Sequence, residues 1–173
     1  MPIFTTKRLF IRELEEKDPV ELLKIYNCQE NMQYVSSGKW HWSKEELDEK
    51  LRKHTLNYPK GYGIFMVEEK ESGKLIGEVG LFNSFNSERE LEIGYILDRK
   101  YWGLGFGSEL INGLIEYGID ILRLHRIMAR MYAQNLASAR VCEKCGMRLV
   151  EKGVSESGVS YLEYEFLSSQ RSG

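Results

Sequence analysis

Glu90-Leu91-Glu92-Ile93-Gly94-Tyr95-Ile96-Leu97, followed by Asp98-Arg99-Lys100-Tyr101 and then Trp102-Gly103-Leu104-Gly105-Phe106-Gly107-Ser108, is the stretch that decides the fold. Its first eight residues alternate: Leu91, Ile93, Tyr95 and Leu97 read as one apolar face of a strand, with Glu90, Glu92 and Gly94 on the other. Three glycines at every second position then turn the chain. Behind the turn Leu110, Ile111, Leu114, Ile115, Gly118, Ile121 and Leu122 recur at helical spacing, while Glu109, Asn112, Glu116 and Asp120 take the opposite side. A strand, a glycine turn and a strong helix in that order suit an anion. Glycine lets backbone approach closely. Successive amides and the helix N-terminus then point their donors, and the positive end of the dipole, at one place. The competing reading is that the glycines merely reverse the chain. Two nucleotide motifs are excluded. A P-loop needs Lys-Ser/Thr after its last glycine, and Gly107 is followed by Ser108-Glu109. The Rossmann spacing G-x-G-x-x-G does not match Gly103, Gly105, Gly107, and the preceding strands read as antiparallel.

Working outward, Tyr62–Glu68, Leu75–Phe82 and Glu90–Leu97 are three strands spaced like a meander, separated by the turn Glu71-Ser72-Gly73-Lys74 and the polar segment 83–89. Thr6–Glu13 is an earlier strand. Asp18-Pro19 reads as N-cap and first residue of a helix, with Glu21 at the capping-box position and Leu22, Leu23, Ile25 and Tyr26 as its apolar face. Ser43 and Glu46 form a second capping box, opening a helix through about Leu56. The intervening loop carries Trp40, His41 and Trp42. After the long helix come a strand at Arg126–Tyr132, a helix at Leu136–Cys145 capped by Asn135 and stopped by Gly146, and strands near Leu149–Val154 and Tyr161–Leu167. The predicted order is β-α-α-β-β-β-α-β-α-β-β, an α+β fold.

The 173 residues suit a single domain, 1–173, and no linker or repeat interrupts them. With 24 basic and 26 acidic side chains the net charge is −2, which gives no electrostatic footprint for nucleic acid. No apolar run approaches a membrane span and the first residues do not read as a secretory signal, so a cytoplasmic protein is expected. Three cysteines argue against a disulfide framework. Cys142-x-x-Cys145 has zinc spacing but lacks two further ligands nearby, with His125 the only adjacent candidate, so no metal is expected. His54 and His125 read as structural.

Three segments resemble the GNAT superfamily of acetyl-CoA-dependent N-acetyltransferases: Glu92–Gly107 (E-I-G-Y-I-L-D-R-K-Y-W-G-L-G-F-G), Asn135–Met147 (N-L-A-S-A-R-V-C-E-K-C-G-M) and the opening T-x-R-L-x-I-R, Thr6–Arg12. The opening and the W-G-x-G form look like the branch of ribosomal-protein-alanine and related N-terminal acetyltransferases. The resemblance covers nearly the whole chain. It implies a GNAT-type fold: a central, mostly antiparallel mixed sheet of about seven strands, with about four helices on its faces. It implies that acetyl-CoA is the co-substrate. The pyrophosphate would lie on the amides of Gly103, Leu104, Gly105, Phe106, Gly107 and Ser108. The pantetheine arm would meet the backbone of Tyr95, Ile96 and Leu97, and Asn135 and Ser138 would contact the cofactor. Trp102 stands where many members have Gln or Arg, a departure that matters little if backbone holds the phosphates. The acceptor implied is a primary amine, a protein N-terminus first and a polyamine or other small amine second. The loop of Trp40–Trp42 would help wall the acceptor site, or simply pack. A homodimer is an open expectation. A cofactor-binding domain without turnover is the competing class.

Acetyl transfer needs a neutral amine, and alkyl amines have pKa values near 10.4 and α-amines near 7.7–8.0. It needs donors for the oxyanion, which strand-end amides supply. It also needs a proton for the departing thiolate. Glu92 is the first base candidate, because alternation turns it away from the core and some family members carry a glutamate there; Glu78, on the neighbouring strand, is the second. Ordered water, or solvated carboxylates with no role, are the alternatives. For the acid, the resemblance offers Ser138, three residues after Asn135, and Cys142, where many members carry tyrosine.

Overall fold

The computed structural model describes residues 1–35 and 37–171. Its elements run β1 (Pro2–Thr5), β2 (Leu9–Arg12), α1 (Asp18–Tyr26), α2 (Gln29–Met32), α3 (Lys44–Thr55), β3 (Gly63–Glu69), β4 (Leu75–Phe82), β5 (Glu90–Leu97), α4 (Phe106–Glu116), β6 (Arg126–Tyr132), α5 (Leu136–Lys144), β7 (Arg148–Val154) and β8 (Ser160–Leu167). The fold is mixed α+β, as expected. Among the described residues it has eight strands and five α-helices rather than about seven and four. The additions, β1 and α2, are four residues each, too short to show a period. The elements fall into two compact units.

The first unit comprises Met1–Leu81 with Tyr95–Phe106. Strands β1 to β4 pair antiparallel in sequence order, with Ile11 opposite Val67 and Val67 opposite Gly77. Leu9, Ile11, Leu22, Tyr26, Phe65, Val67 and Val79 are fully buried there. The α3 capping box forms as read: Ser43 Oγ accepts from Glu46 N (3.1 Å), and Glu46 Oε2 accepts from Ser43 N (2.9 Å). The capping expected of Asp18 does not form. Asp18 is the first helical residue and Lys17 the N-cap, without a side-chain cap. The Asp18 carboxylate instead accepts from both Arg12 Nη atoms (2.7 and 2.9 Å) and from Glu15 N (2.7 Å), while Arg12 Nε donates to Glu68 (3.1 Å). A guanidinium offers two charge-assisted bonds where the capped amide offers one.

The second unit comprises Phe82–Gly94 with the chain from Gly107 onward. Glu90–Ile93 of β5 pairs parallel with Arg126–Ala129 of β6. Strand β6 pairs antiparallel with β8, and β8 with β7. Leu110, Ile111, Leu114 and Ile115 of α4 are buried as the periodicity requires. Ile121, assigned to the same stripe, is 69% exposed. The reason is a π-helical turn at Tyr117–Ile121, where Leu122 N donates to Tyr117 O (3.1 Å). One extra residue per turn rotates the stripe, and Tyr117 and Ile119 are buried instead.

Candidate active site

The glycine turn is left-handed at two points, with φ of +71° at Gly103 and +82° at Gly105, conformations that L side chains resist. A Cβ added at Gly103 would meet nothing within 4 Å, so one side of the turn is open. Phe106, 4% exposed, begins α4 and packs edge-on against Tyr101 (5.7 Å between centroids). The amides opening α4 have no carbonyl within the helix to bond. A glycine turn open at Gly103 and leading to a helix N-terminus fits an anion of phosphate size. Trp102 Nε1 donates to Leu97 O (2.8 Å), tying the turn to the end of β5.

That bond narrows what the strand end offers. The Leu97 carbonyl is engaged by Trp102, and the Ile96 carbonyl lies against Gly77 so closely that no Cβ fits there. Asp98 N donates to Ile76 O (2.8 Å). The carbonyls of Ile96 and Leu97 are therefore less open than the sequence suggests, though a carbonyl keeps a second lone pair.

Glu78 is not a solvated strand carboxylate: it is 5% exposed. Its Oε1 accepts from Tyr26 OH (2.6 Å) and faces Lys50 Nζ (3.4 Å), and Oε2 is buried without a hydrogen-bond partner. Lys50 also donates to Tyr26 OH. Burial, then the Glu78 charge, push the Tyr26 phenol far above its usual range, so it is a permanent donor at neutral pH. Trp42 stands edge-on to Tyr26 (5.2 Å), which puts one of the loop aromatics beside this group. His54 is held below its usual range by burial and then by Lys50.

Within the second unit Glu92 is half-buried, between buried Leu91 and Ile93, so the alternation holds. Its Oε2 accepts from Ser84 Oγ (2.6 Å). Asn135 caps α5, accepting from Ser138 N (3.3 Å), and its Nδ2 donates to Ser138 Oγ (3.0 Å). That bond fills an acceptor position on the Ser138 hydroxyl and leaves its own proton to donate. Cys142 is 4% exposed, and burial followed by Cys145 pushes its thiol up to about 12. Cys145, pushed up to about 11, donates to Ser108 O (3.4 Å). These are core thiols. Among the described residues no cluster of His, Cys, Asp and Glu could hold a metal ion, and no helix is long and apolar enough to cross a membrane.

The structure thus groups Glu78 with Tyr26, Lys50 and Trp42, Glu92 with Ser84, and Ser138 with Asn135. Sequence reasoning missed Ser84 and the partners of Glu78. Tyr26 carried a signal, since a phenol on an apolar helix face needs a partner for its hydroxyl. Lys50 carried none.

Residues 8–148 match a family model described as an acetyltransferase (GNAT) domain. The uncharacterized N-acetyltransferase YnaD of Bacillus subtilis is 34% identical over 146 residues, 83% of this chain and 81% of its own. The crystal structure of spermidine N-acetyltransferase from Vibrio cholerae in complex with CoA and spermine superposes with a TM-score of 0.82 at 26% identity, covering 96% of this chain and 99% of that one. RimL, a ribosomal L7/L12 α-N-protein acetyltransferase in complex with coenzyme A, superposes at 0.81 and 17% identity, covering 96% and 98%, a likeness of fold alone.

Proposed function

The chain belongs to the GNAT acetyltransferase family, and from that premise we propose that it moves acetyl from acetyl-CoA to a primary amine by direct attack within a ternary complex. The observation that carries this is the glycine turn: left-handed at Gly103 and Gly105, open on one side, and running into the N-terminus of α4. Gly103 to Ser108 would hold the pyrophosphate. The family match runs through residues of both units, which supports reading 1–173 as one domain.

The amine nitrogen attacks the thioester carbonyl, the new C–N bond forms, the C–S bond breaks and the amine gives up a proton. Glu92 is the proposed acceptor of that proton, directly or through water. Glu78 is the weaker candidate, since its bonded oxygen is occupied and its other oxygen is sealed from solvent. Ser138 is the proposed donor to the departing thiolate, supported by the bond that leaves its proton available.

Two acceptors remain in view. The T-x-R-L-x-I-R opening and the W-G-L-G turn point to a protein N-terminal α-amine. A polyamine is favoured by the likeness to the Vibrio cholerae spermidine enzyme, at 26% identity against 17% for RimL. A panel of peptide N-termini, spermidine, spermine and simple amines decides between them by which one accelerates CoA release from acetyl-CoA. Release that no amine accelerates would refute transfer and leave a cofactor-binding module.

A further inference from the structure

The opening T-x-R-L-x-I-R is explained by the fold except at one residue. Leu9 and Ile11 are fully buried, and Arg12 holds Asp18 and Glu68. Thr6 closes the tight turn between β1 and β2: its N donates to Leu9 O (3.0 Å) and its Oγ1 accepts from Leu9 N (3.1 Å). Arg8 sits in that turn, and its side chain leaves the hairpin. Nη1 donates to Leu104 O (2.9 Å), 96 residues along the chain. The guanidinium carbon lies 4.0 Å from the centroid of the Phe106 ring. Nη2 lies 3.4 Å from where a Cβ on Gly105 would be. One side chain therefore touches Leu104 and Phe106 and fills the space beside Gly105 between them.

The touched carbonyl belongs to the peptide between Leu104 and Gly105, whose rotation turns φ of Gly105, a glycine in the left-handed region. Such peptides can flip, because glycine adopts both signs of φ readily. In a trans peptide the C=O and the N–H point in opposite directions. Holding Leu104 O on Arg8 therefore aims the Gly105 N–H away from Arg8. A guanidinium suits this task better than an ammonium, since its planar fork can bond the carbonyl and lie over the aromatic ring together.

We infer that Arg8 is a positioning residue for the cofactor's diphosphate: it fixes the Leu104–Gly105 peptide with its amide turned out to receive the anion. The inference rests on the reading of the turn as an acetyl-CoA site.

The test is calorimetric titration of the ligand-free wild type, Arg8→Ala and Arg8→Lys with two probes, CoA and pantetheine, the latter lacking the diphosphate. Removing a charge-assisted bond that organises the amide is expected to weaken CoA binding about tenfold or more in Arg8→Ala. Pantetheine binding at millimolar concentration should stay within about twofold, because pantetheine never reaches the turn. Arg8→Lys should recover only part of the loss. Unchanged CoA affinity in Arg8→Ala, or equal weakening of CoA and pantetheine, overturns the inference. If Arg8→Ala does not fold, Arg8→Lys is judged by the same two probes, and equal effects on both again refute it. A wild type that binds no CoA overturns the acetyl-CoA reading itself, so the two failures are distinguishable.

Discussion

Replacing Gly77 by alanine tests whether the end of β5 is where the acyl group is held. A Cβ on Gly77 would lie well inside 3.0 Å of the Ile96 carbonyl oxygen, with Ile96 C and Leu97 Cα at 3.0 Å. These are backbone atoms, so no rotamer change relieves the clash. The strand end must retreat by something on the order of 1 Å, a misplacement that can cost about 10²-fold in rate. Overpacking of this kind costs about 1–3 kcal/mol, which for a chain of this size lowers Tm by roughly 2–12 °C. The comparison variant is Gly73→Ala. Gly73, unlike Gly77, is left-handed, at φ +64°, but an added Cβ meets nothing within 4 Å. It should lose about 1–2 kcal/mol from its backbone conformation alone. Thermal melts and steady-state kinetics with acetyl-CoA and an active amine separate the two. Gly77→Ala should lose both stability and kcat/KM, and Gly73→Ala only stability. If Gly77→Ala melts lower yet keeps wild-type kcat/KM, the end of β5 is not at the reacting centre. If it changes neither, the close approach to Ile96 is not a constraint.

Glu92→Gln should lower kcat by about 10²–10⁴-fold, and Ser138→Ala should slow turnover; full kcat at every pH in both variants would refute both assignments. Asp18→Ala takes two bonds from the Arg12 guanidinium, whose side chain is 12% exposed and keeps Glu68, and should cost about 1.5–3 kcal/mol in urea unfolding; a loss below about 0.5 kcal/mol would show that the pair is not structural. Cys142 binds its proton more tightly folded, at about 12, than at its ordinary 9.0, so its contribution is complete below pH 9 and lost as pH rises through about 12. The stability advantage of wild type over Cys142→Ala should therefore shrink between pH 8 and pH 11, and an advantage independent of pH would contradict this. Cys28, partly exposed, should alkylate well before buried Cys142 and Cys145 in the native protein, and equal rates would show that α5 opens readily.

What could be read without coordinates were features carried by neighbours in the chain. The Ser43–Glu46 capping box, the β4 and β5 bounds, the glycine turn and the Asn135 cap each depend on residues within a few positions. Asp18 was misjudged because its partner is not the helix behind it. Arg12 lies on a strand, and its two-pronged bond outcompetes a cap. Glu78 shows the same limit more strongly. Its strand could be placed, but Tyr26 and Lys50 meet it from α1 and α3, 52 and 28 residues away. No spacing rule connects three such positions. Ser84 was hidden for another reason: the polar segment 83–89 reads as a turn, and a turn serine has many partners within reach.

The π-helical turn at Tyr117–Ile121 bears on how this chain tolerates changes of length. A regular helix closes each hydrogen-bonded ring with one residue fewer than this turn uses. Removing one exposed residue there, such as Asp120, would let the backbone relax into α geometry. Substituting Ile121, already 69% exposed, changes little packing. Inserting a residue would instead rotate Leu124, 1% exposed, away from its site. In a deletion and insertion scan of residues 110–124, this turn should stand out as the one place where losing a residue is better tolerated than gaining one.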